Sequence, residues 1–328
     1  MPSAARGNKV MFYLMIYKTL GISIFIIAIL NLGISLNFIE LIILNQIMSF
    51  FVPFMAYKFI TKQTFSEIMP MNPISIRNVI LIAGMLVALT PFTMFLSALS
   101  SLFATNYIAY LMEEMVANYP FILMLLAIGV TPSIMEELMF RGAIYNEYRH
   151  VAIRKAAFVN GLFFGLMHMS MQQFLYAAVL GFLFTYFMYY TKTIFAPIIA
   201  HFFVNGPQVA LMFAVLNVDL DEFSPEGAYA YATEPNLVLV TIGVGVVAIL
   251  FMPLFFYLFR EFVQYNKHNV EVADIIEENI EVVDEDLVGH DEKPAKDRNK
   301  IVTWAFVATI VFYILYQVPI VIEYIMAM

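Results

Sequence analysis

Long apolar runs recur along the chain and are separated by short polar stretches. A membrane-spanning helix needs about 20 predominantly apolar residues, within a range of roughly 17–25. The candidate segments are residues 10–30, 38–57, 78–103, 120–144, 156–170, 172–190, 194–215, 237–259 and 302–323. The fifth is short and joins the sixth through a tight polar turn. The pattern predicts an all-α polytopic membrane protein, with a core of about eight helices and one extra C-terminal transmembrane helix.

The distribution of basic residues indicates an orientation for these helices. Cytoplasmic loops of membrane proteins carry an excess of Lys and Arg. With the N-terminus in the cytoplasm, all 17 basic residues fall on the cytoplasmic side, including Lys18 at the inner end of the first helix. Residues 104–118, interpreted as a surface helix, and the loop 216–236 carry acid without base and lie outside. We therefore expect a multi-pass plasma-membrane protein with a cytoplasmic N-terminus and its C-terminus outside.

Composition supports the membrane assignment and excludes several kinds of chemistry. The chain is 62% hydrophobic and 13% charged, whereas soluble domains are roughly 45–50% apolar and about 25% charged. The absence of cysteine excludes disulfides, thiolate metal sites and a cysteine nucleophile. Much of the acid behind the net charge of −8 lies in residues 271–292. No basic patch interleaved with aromatic residues is present, so we expect no nucleic-acid partner.

Three charged residues lie in the fourth apolar segment, where ionisable groups are costly and indicate function. Glu137 and Arg141 are four residues apart and share a helical face, so they can form an ion pair. Glu136 is turned about 100° away from that face and is free to face a cavity. Pro132 removes the helical hydrogen bond to the Ile128 carbonyl and can kink the helix. The alternative interpretation is a polar lock near the inner interface.

Polar residues also interrupt the fifth and seventh apolar segments. His168 follows Phe164 by four residues, in a segment with a G-x-x-x-G pair that allows close helix approach. His201 and Asn205 project from one face of the seventh segment, one turn apart. Packing, or a hydrogen bond between helices, would explain each of these residues taken alone.

Taken together, the polar groups of these three helices favour water activation. Buried in one cavity, a carboxylate such as Glu136 can act as a general base. An imidazole can orient the water and relay its proton, and an imidazole and an amide N–H can stabilise an oxyanion. The candidate catalytic residues are therefore Glu136, His168, His201 and Asn205.

The three motifs E-E-x-x-x-R, F-x-x-x-H and H-x-x-x-N lie in this order, each on its own predicted membrane helix. They resemble those of the CAAX-protease and bacteriocin-processing (CPBP) intramembrane proteases, the group of the type II CAAX prenyl endopeptidases and the abortive-infection family. The resemblance covers about residues 78–215. It implies a peptide-bond hydrolase in which Glu136 activates water with His168, while His201 and Asn205 hold the oxyanion. The supporting residues would be Glu137, Arg141 and Phe164.

The chain is accordingly expected to divide into five segments. Residues 1–77 hold two transmembrane helices and a cytoplasmic loop, and residues 78–215 form the catalytic core. Residues 216–260 hold an outer loop and the eighth transmembrane helix. The acidic cytoplasmic segment 261–300 is interpreted as a solvated linker, with a site for a protein partner as the alternative. Residues 301–328 form the final transmembrane helix, which is not part of the recognised family pattern.

The residues leave open whether a metal takes part. The sequence has no H-E-x-x-H motif, in which two histidines on one helix face bind zinc. Glu136, His168 and His201 could still form a three-ligand site similar to catalytic zinc. A glutamate mechanism that requires no cofactor is favoured, and a divalent metal such as Zn is the alternative.

Two other functions are compatible with the same polar residues. Intramembrane Glu and His can relay protons, as in a proton-coupled transporter, although no inverted repeat of the kind common in transporters is evident. A non-catalytic membrane scaffold or immunity protein could use the cavity for binding. The expected partners of the protease are the lipid bilayer and a peptide precursor or a membrane-associated or prenylated protein substrate.

Overall fold

The computed structural model describes residues 2–104, 115–217, 236–287 and 299–327, with side chains described to residues 215, 272 and 322 in the last three ranges. The main helices are α1 Ala4–Asn31, α2 Phe38–Thr61, α3 Ile76–Ser101, α4 Phe121–Ile144, α5 Ile153–Met167, α6 Met171–Thr191, α7 Phe195–Asn217, α8 Leu237–Leu287 and α9 Trp304–Ala327. Among the described residues, eight of these helices are long and apolar enough to cross a membrane. The predicted all-α polytopic membrane fold is therefore confirmed. Most of the predicted surface helix at 104–118, and the acidic loop 216–236, lie outside the described residues.

Helix α5 is the element that falls short of a full membrane span. It has 15 residues and is about 22 Å long, whereas the hydrocarbon core of a bilayer is about 30 Å thick. Its glycines pack directly on α6. A Cβ atom on Gly161 would lie 2.6 Å from the Ala178 carbonyl oxygen, and one on Gly181 would lie 2.6 Å from the Phe164 Cβ. The close approach places His168, which caps the end of α5, inside the bundle.

In the part of the chain that the structure describes, four π-helical turns interrupt helices α1, α2 and α4. They are Tyr17–Gly21 in α1, Ile47–Phe51 in α2, and Leu125–Val130 and Leu138–Ile144 in α4. Such turns are rare in proteins, and many of those that occur lie at functional sites. The first contains Lys18, the second follows Gln46 and the last contains Arg141. These three polar side chains all reappear at the candidate site.

The chain that follows α4 anchors the N-terminus of the protein. Glu147 is fully buried and accepts hydrogen bonds from the Ser3 backbone N–H at 2.8 Å and from Arg6 Nε at 2.7 Å. The Tyr57 hydroxyl donates to the same carboxylate. Because these donors compensate the buried charge, the burial of Glu147 has a structural explanation.

Helix α8 extends far beyond the predicted segment 237–259. Asn266 and Asn78 exchange amide hydrogen bonds of 2.7 and 3.0 Å. The Arg77 guanidinium stacks on the Tyr265 ring at 4.4 Å. The beginning of the segment interpreted as a solvated linker is therefore a helix that packs against α3.

The final helix α9 packs into the bundle and is not an isolated appendage. The rings of Phe306 in α9 and Phe163 in α5 lie 5.8 Å apart. The Gln317 amide donates a 3.0 Å hydrogen bond to the Met169 carbonyl oxygen. The last helix thus reaches the turn that directly follows His168.

Candidate active site

Glu137 and Arg141 form a fully buried ion pair, as their spacing predicts. The Arg141 Nη1 atom lies 2.9 Å from Glu137 Oε2, and both side chains are 0% exposed. The Nη2 atom donates to the Gly181 carbonyl oxygen at 2.7 Å, and the guanidinium lies 4.9 Å from the centre of the Phe164 ring. A buried arginine is destabilising without a compensating charge. Glu137 supplies that charge, and the hydrogen bond from Arg141 to Gly181 links α4 to α6.

Glu137 has a second partner, which its spacing along α4 does not predict. The Nδ1 atom of His201 lies 2.9 Å from Glu137 Oε1. Since an ionised carboxylate only accepts hydrogen bonds, Nδ1 carries the proton of this contact. A carboxylate in this position fixes the orientation and the tautomer of the histidine ring. Glu137 therefore both balances Arg141 and orients His201.

The ring of His168 is oriented by its own helix. Its Nδ1 atom lies 2.7 Å from the Phe164 carbonyl oxygen, which can only accept. Nδ1 is therefore the donor, and in the neutral ring Nε2 keeps its lone pair. The Phe164 ring meets His168 and His201 edge-on, with ring centres 5.0 and 5.7 Å apart. Phe164 thus packs against both imidazoles.

Glu136 faces away from the buried ion pair, as the helical angle predicts. The side chain is 8% exposed, and its Oε1 accepts a 3.1 Å hydrogen bond from Gln46 Nε2. The next residue, Glu137, contacts His201, and the Phe164 ring packs against both His168 and His201. The structure therefore brings the carboxylate and both imidazoles into one region of the bundle.

Two polar residues of this region were not predicted from the sequence. Gln46 is a neutral amide in an apolar helix and carries no recognisable motif. The charge pattern places Lys18 among the inner basic residues, but its Nζ donates to the Met167 carbonyl oxygen at 2.9 Å and lies 5.1 Å from the centre of the Phe50 ring. Its charge also interacts with Glu136. In the sequence, only the position of Lys18 well inside the first apolar run indicates that its charge is buried.

Asn205 bridges α7 to the interrupted helix α4. Its Nδ2 atom donates a 3.1 Å hydrogen bond to the carbonyl oxygen of Ile128. This is the carbonyl that Pro132 deprives of its helical donor. One amide N–H of Asn205 therefore has a structural role, and the amide has a second N–H to offer. The oxyanion role of Asn205 stays a prediction.

The donor set of Glu136, His168 and His201 would suit zinc chemically, since carboxylate and imidazole are common zinc ligands. Within the described ranges, however, no three His, Cys, Asp or Glu side chains are grouped closely enough to hold one metal ion. The participation of a divalent metal, like the metal-free mechanism, stays a prediction. The chemistry proposed below for these three residues uses protein groups alone.

Comparisons with known proteins agree with the three motifs. Residues 118–206, which contain all of them, match the family model for Type II CAAX prenyl endopeptidase Rce1-like proteins. A Bacillus subtilis (strain 168) protein named "Putative membrane peptidase YdiL" is 30% identical over 84 residues, which are 25% of this chain and 34% of that protein. The match thus spans about a third of this curated relative, and no solved structure gives a significant match. The resemblance drawn from the motifs is confirmed: residues 118–206 are similar to the type II CAAX prenyl endopeptidase Rce1-like family.

Proposed function

We propose that this chain is an intramembrane endopeptidase that hydrolyses a peptide bond with a water molecule activated by Glu136. The observation that carries the proposal is the convergence of one carboxylate and two oriented imidazoles within the bundle. The Phe164 ring packs against both imidazoles, and the Nδ1 atoms of both rings are engaged by acceptors. Glu136 directly precedes Glu137, the partner of His201. Each ring therefore has its Nε2 atom available for chemistry.

The first step that these groups support is attack by water. Glu136 removes a proton from the water, and the hydroxide adds to the carbonyl carbon of the substrate. Nε2 of His168 is suited to orient this water because it accepts a hydrogen bond in the neutral ring. The carbonyl π-bond opens, and the electron pair moves to the oxygen of a tetrahedral intermediate.

The second step is collapse of that intermediate. His201, oriented by Glu137, is the first proposed donor and would donate from Nε2 to the oxyanion when both ring nitrogens carry protons. The remaining N–H of Asn205 is the second proposed donor. The C–N bond then breaks, and the proton held by Glu136 passes to the leaving amine, directly or through His168.

The substrate class and the setting of the enzyme belong to the same proposal. The family match over residues 118–206 supports a peptide precursor or a membrane-associated or prenylated protein as the substrate. The basic residues favour a plasma-membrane location with a cytoplasmic N-terminus and an outer C-terminus. The acidic segment 261–300 is a candidate site for a protein partner.

The decisive experiment compares cells that express the full chain with cells that express Glu136→Gln at equal level. Mass spectrometry of their membranes identifies peptides that are cut only in the presence of the unmodified protein. A synthetic peptide across that cut, incubated with purified protein in liposomes, then tests cleavage directly. Glu261→Gln, a matched change at a partly exposed carboxylate on α8, is expected to cleave normally.

The outcomes separate the competing functions. Full cleavage by Glu136→Gln would refute the assigned mechanism. Solute transport in liposomes without any cleavage would identify a transporter. A biological function that survives in both Glu136→Gln and His168→Ala would identify a scaffold. Metal analysis of the purified protein, with cleavage measured after chelation, tests the metal-free mechanism, for which undiminished cleavage is expected.

A further inference from the structure

Two helices form hydrogen bonds to the turn that contains His168. Both helices lie outside residues 118–206, the segment that matches the family model. Nζ of Lys18 in α1 donates to the Met167 carbonyl oxygen at 2.9 Å. Nε2 of Gln317 in α9 donates to the Met169 carbonyl oxygen at 3.0 Å. The two accepting carbonyls belong to the residues directly before and after His168.

The backbone of this turn needs external support. Met169 has a φ angle of 51°, in the left-handed region that favours glycine and is uncommon for a larger residue. The turn also follows the end of α5, where the last helical carbonyls lack donors from their own helix. Lys18 and Gln317 supply donors at this point. Gln317 is 5% exposed, so its hydrogen bond is made inside the bundle.

We propose that Lys18 and Gln317 are positioning residues that hold the His168 turn in its left-handed conformation and thereby aim Nε2 of His168 at the water beside Glu136. The catalytic part of this inference rests on the proposed function, whereas the clamping of the turn does not. The first and last helices then become parts of the active site. Gln317 gives the cleaner test, because the charge of Lys18 also interacts with Glu136.

A test that needs no substrate measures the chemical reactivity of His168. Diethyl pyrocarbonate modifies unprotonated imidazole nitrogen, and mass spectrometry of the full-length protein in detergent gives the rate at each histidine. Gln317→Met keeps the length of the side chain but removes the donor. We expect the modification rate of His168 to rise several-fold, because the released turn becomes more accessible.

Two controls separate release of the turn from general loosening of the protein. Tyr316→Phe removes a hydroxyl from the neighbouring, more exposed position of α9 and should leave the rate unchanged. His268, exposed on α8, serves as the internal standard in every sample. A His168 rate in Gln317→Met that equals or falls below that of the unmodified protein overturns the inference.

A second substitution tests whether the clamp acts against backbone strain. Glycine adopts the left-handed conformation without a steric penalty. Met169→Gly should therefore return the His168 modification rate of Gln317→Met towards that of the unmodified protein. A double variant that remains as reactive as Gln317→Met would show that Gln317 does not act against the strain at Met169, and the inference would fail.

Catalysis provides the third readout, with the cleaved peptide identified as described above. In Gln317→Glu, a protonated carboxyl can donate to the Met169 carbonyl, whereas an ionised one cannot. We expect kcat to fall by about tenfold or more at high pH, since a misplacement of about 1 Å can cost on the order of 100-fold. The ratio of its kcat to that of the unmodified protein at the same pH should recover as the pH falls, while KM stays constant and Tyr316→Phe shows neither effect.

The failures of the two proposals are distinguishable. If Glu136→Gln abolishes cleavage while Gln317→Glu behaves as the unmodified protein at every pH, the positioning inference is wrong and the proposed function stands. If no cleavage is found but the reactivity of His168 responds to Gln317→Met and recovers with Met169→Gly, the clamp is established and the proposed function fails.

Discussion

His201 and Glu137 are joined by a 2.9 Å contact between Nδ1 and Oε1, and the same carboxylate neutralises Arg141. The spacing of Glu137 and Arg141 alone suggests a purely structural pair. In the folded protein, that pair is coupled to one of the candidate catalytic imidazoles. A change at Glu137 must therefore affect the stability of the bundle and the chemistry of the site together.

The first prediction concerns this shared carboxylate. Glu137→Gln keeps the shape of the side chain but leaves the buried Arg141 charge without its counter-ion. Removing one partner of a buried pair typically costs about 3–5 kcal/mol. We expect a loss of this order in the free energy of unfolding in detergent, together with the loss of proteolysis. Glu261→Gln, which disturbs only a partly exposed contact with Arg77, should cost less than about 1 kcal/mol; equal stability of the two variants would contradict the prediction.

The second prediction concerns Gln46, which the sequence did not mark. Its amide donates to Glu136, and a hydrogen bond to a charged group contributes about 1.5–3 kcal/mol. Gln46→Met should therefore lower kcat by about tenfold or more if the carboxylate must be held in place for the reaction. The matched control is Gln172→Met, because the Gln172 amide donates its hydrogen bonds to Ser97 and Ser101 in α3. Equal kcat values for the two variants would exclude Gln46 from the site.

The third prediction separates the structural and catalytic roles of Asn205. Its bond to Ile128 compensates for the donor that Pro132 lacks, so Pro132→Ala should restore a helical donor to that carbonyl. Asn205→Ala should then cost about 1 kcal/mol of stability in the natural background and less in Pro132→Ala, as a double-mutant cycle would show. If Asn205 also binds the oxyanion, its loss lowers kcat equally in both backgrounds. Recovery of kcat in the double variant would show that Asn205 only repairs the helix.

The fourth prediction concerns the contact between α5 and α6. The methyl group of Gly161→Ala would meet the Ala178 carbonyl oxygen at 2.6 Å and the Phe182 backbone nitrogen at 2.8 Å, so the helices must separate. Overpacking of this kind costs about 1–3 kcal/mol and should displace His168. Gly243→Ala is the matched control, because a Cβ atom there has no neighbour within 4 Å. Because alanine has a greater helix propensity than glycine, Gly243→Ala should leave the free energy of unfolding unchanged or raise it by up to about 1 kcal/mol. Thermal unfolding of both variants checks the comparison, and a stable Gly161→Ala would refute it.

Several features could be predicted because they depend on residues that are close in sequence. The length and apolarity of a segment decide whether it can cross a bilayer, and this identified the eight long helices. Residues four apart share a helical face, which correctly paired Glu137 with Arg141 and separated Glu136 from them. The G-x-x-x-G pattern likewise anticipated the tight packing of α5, since small residues allow backbones to approach.

The sequence by itself thus determined the membrane fold, the buried ion pair and the three helices that carry the candidate catalytic groups. Only the tertiary structure decided which other helices complete the site. His201 contacts Glu137, which lies 64 residues away in the chain. Gln46 and Glu136 are hydrogen-bonded at a separation of 90 residues, and Gln317 and Met169 at a separation of 148. Such contacts depend on how each helix is rotated and how deeply it packs. In a protein whose helices are apolar on nearly every face, the hydrophobic pattern does not specify that rotation.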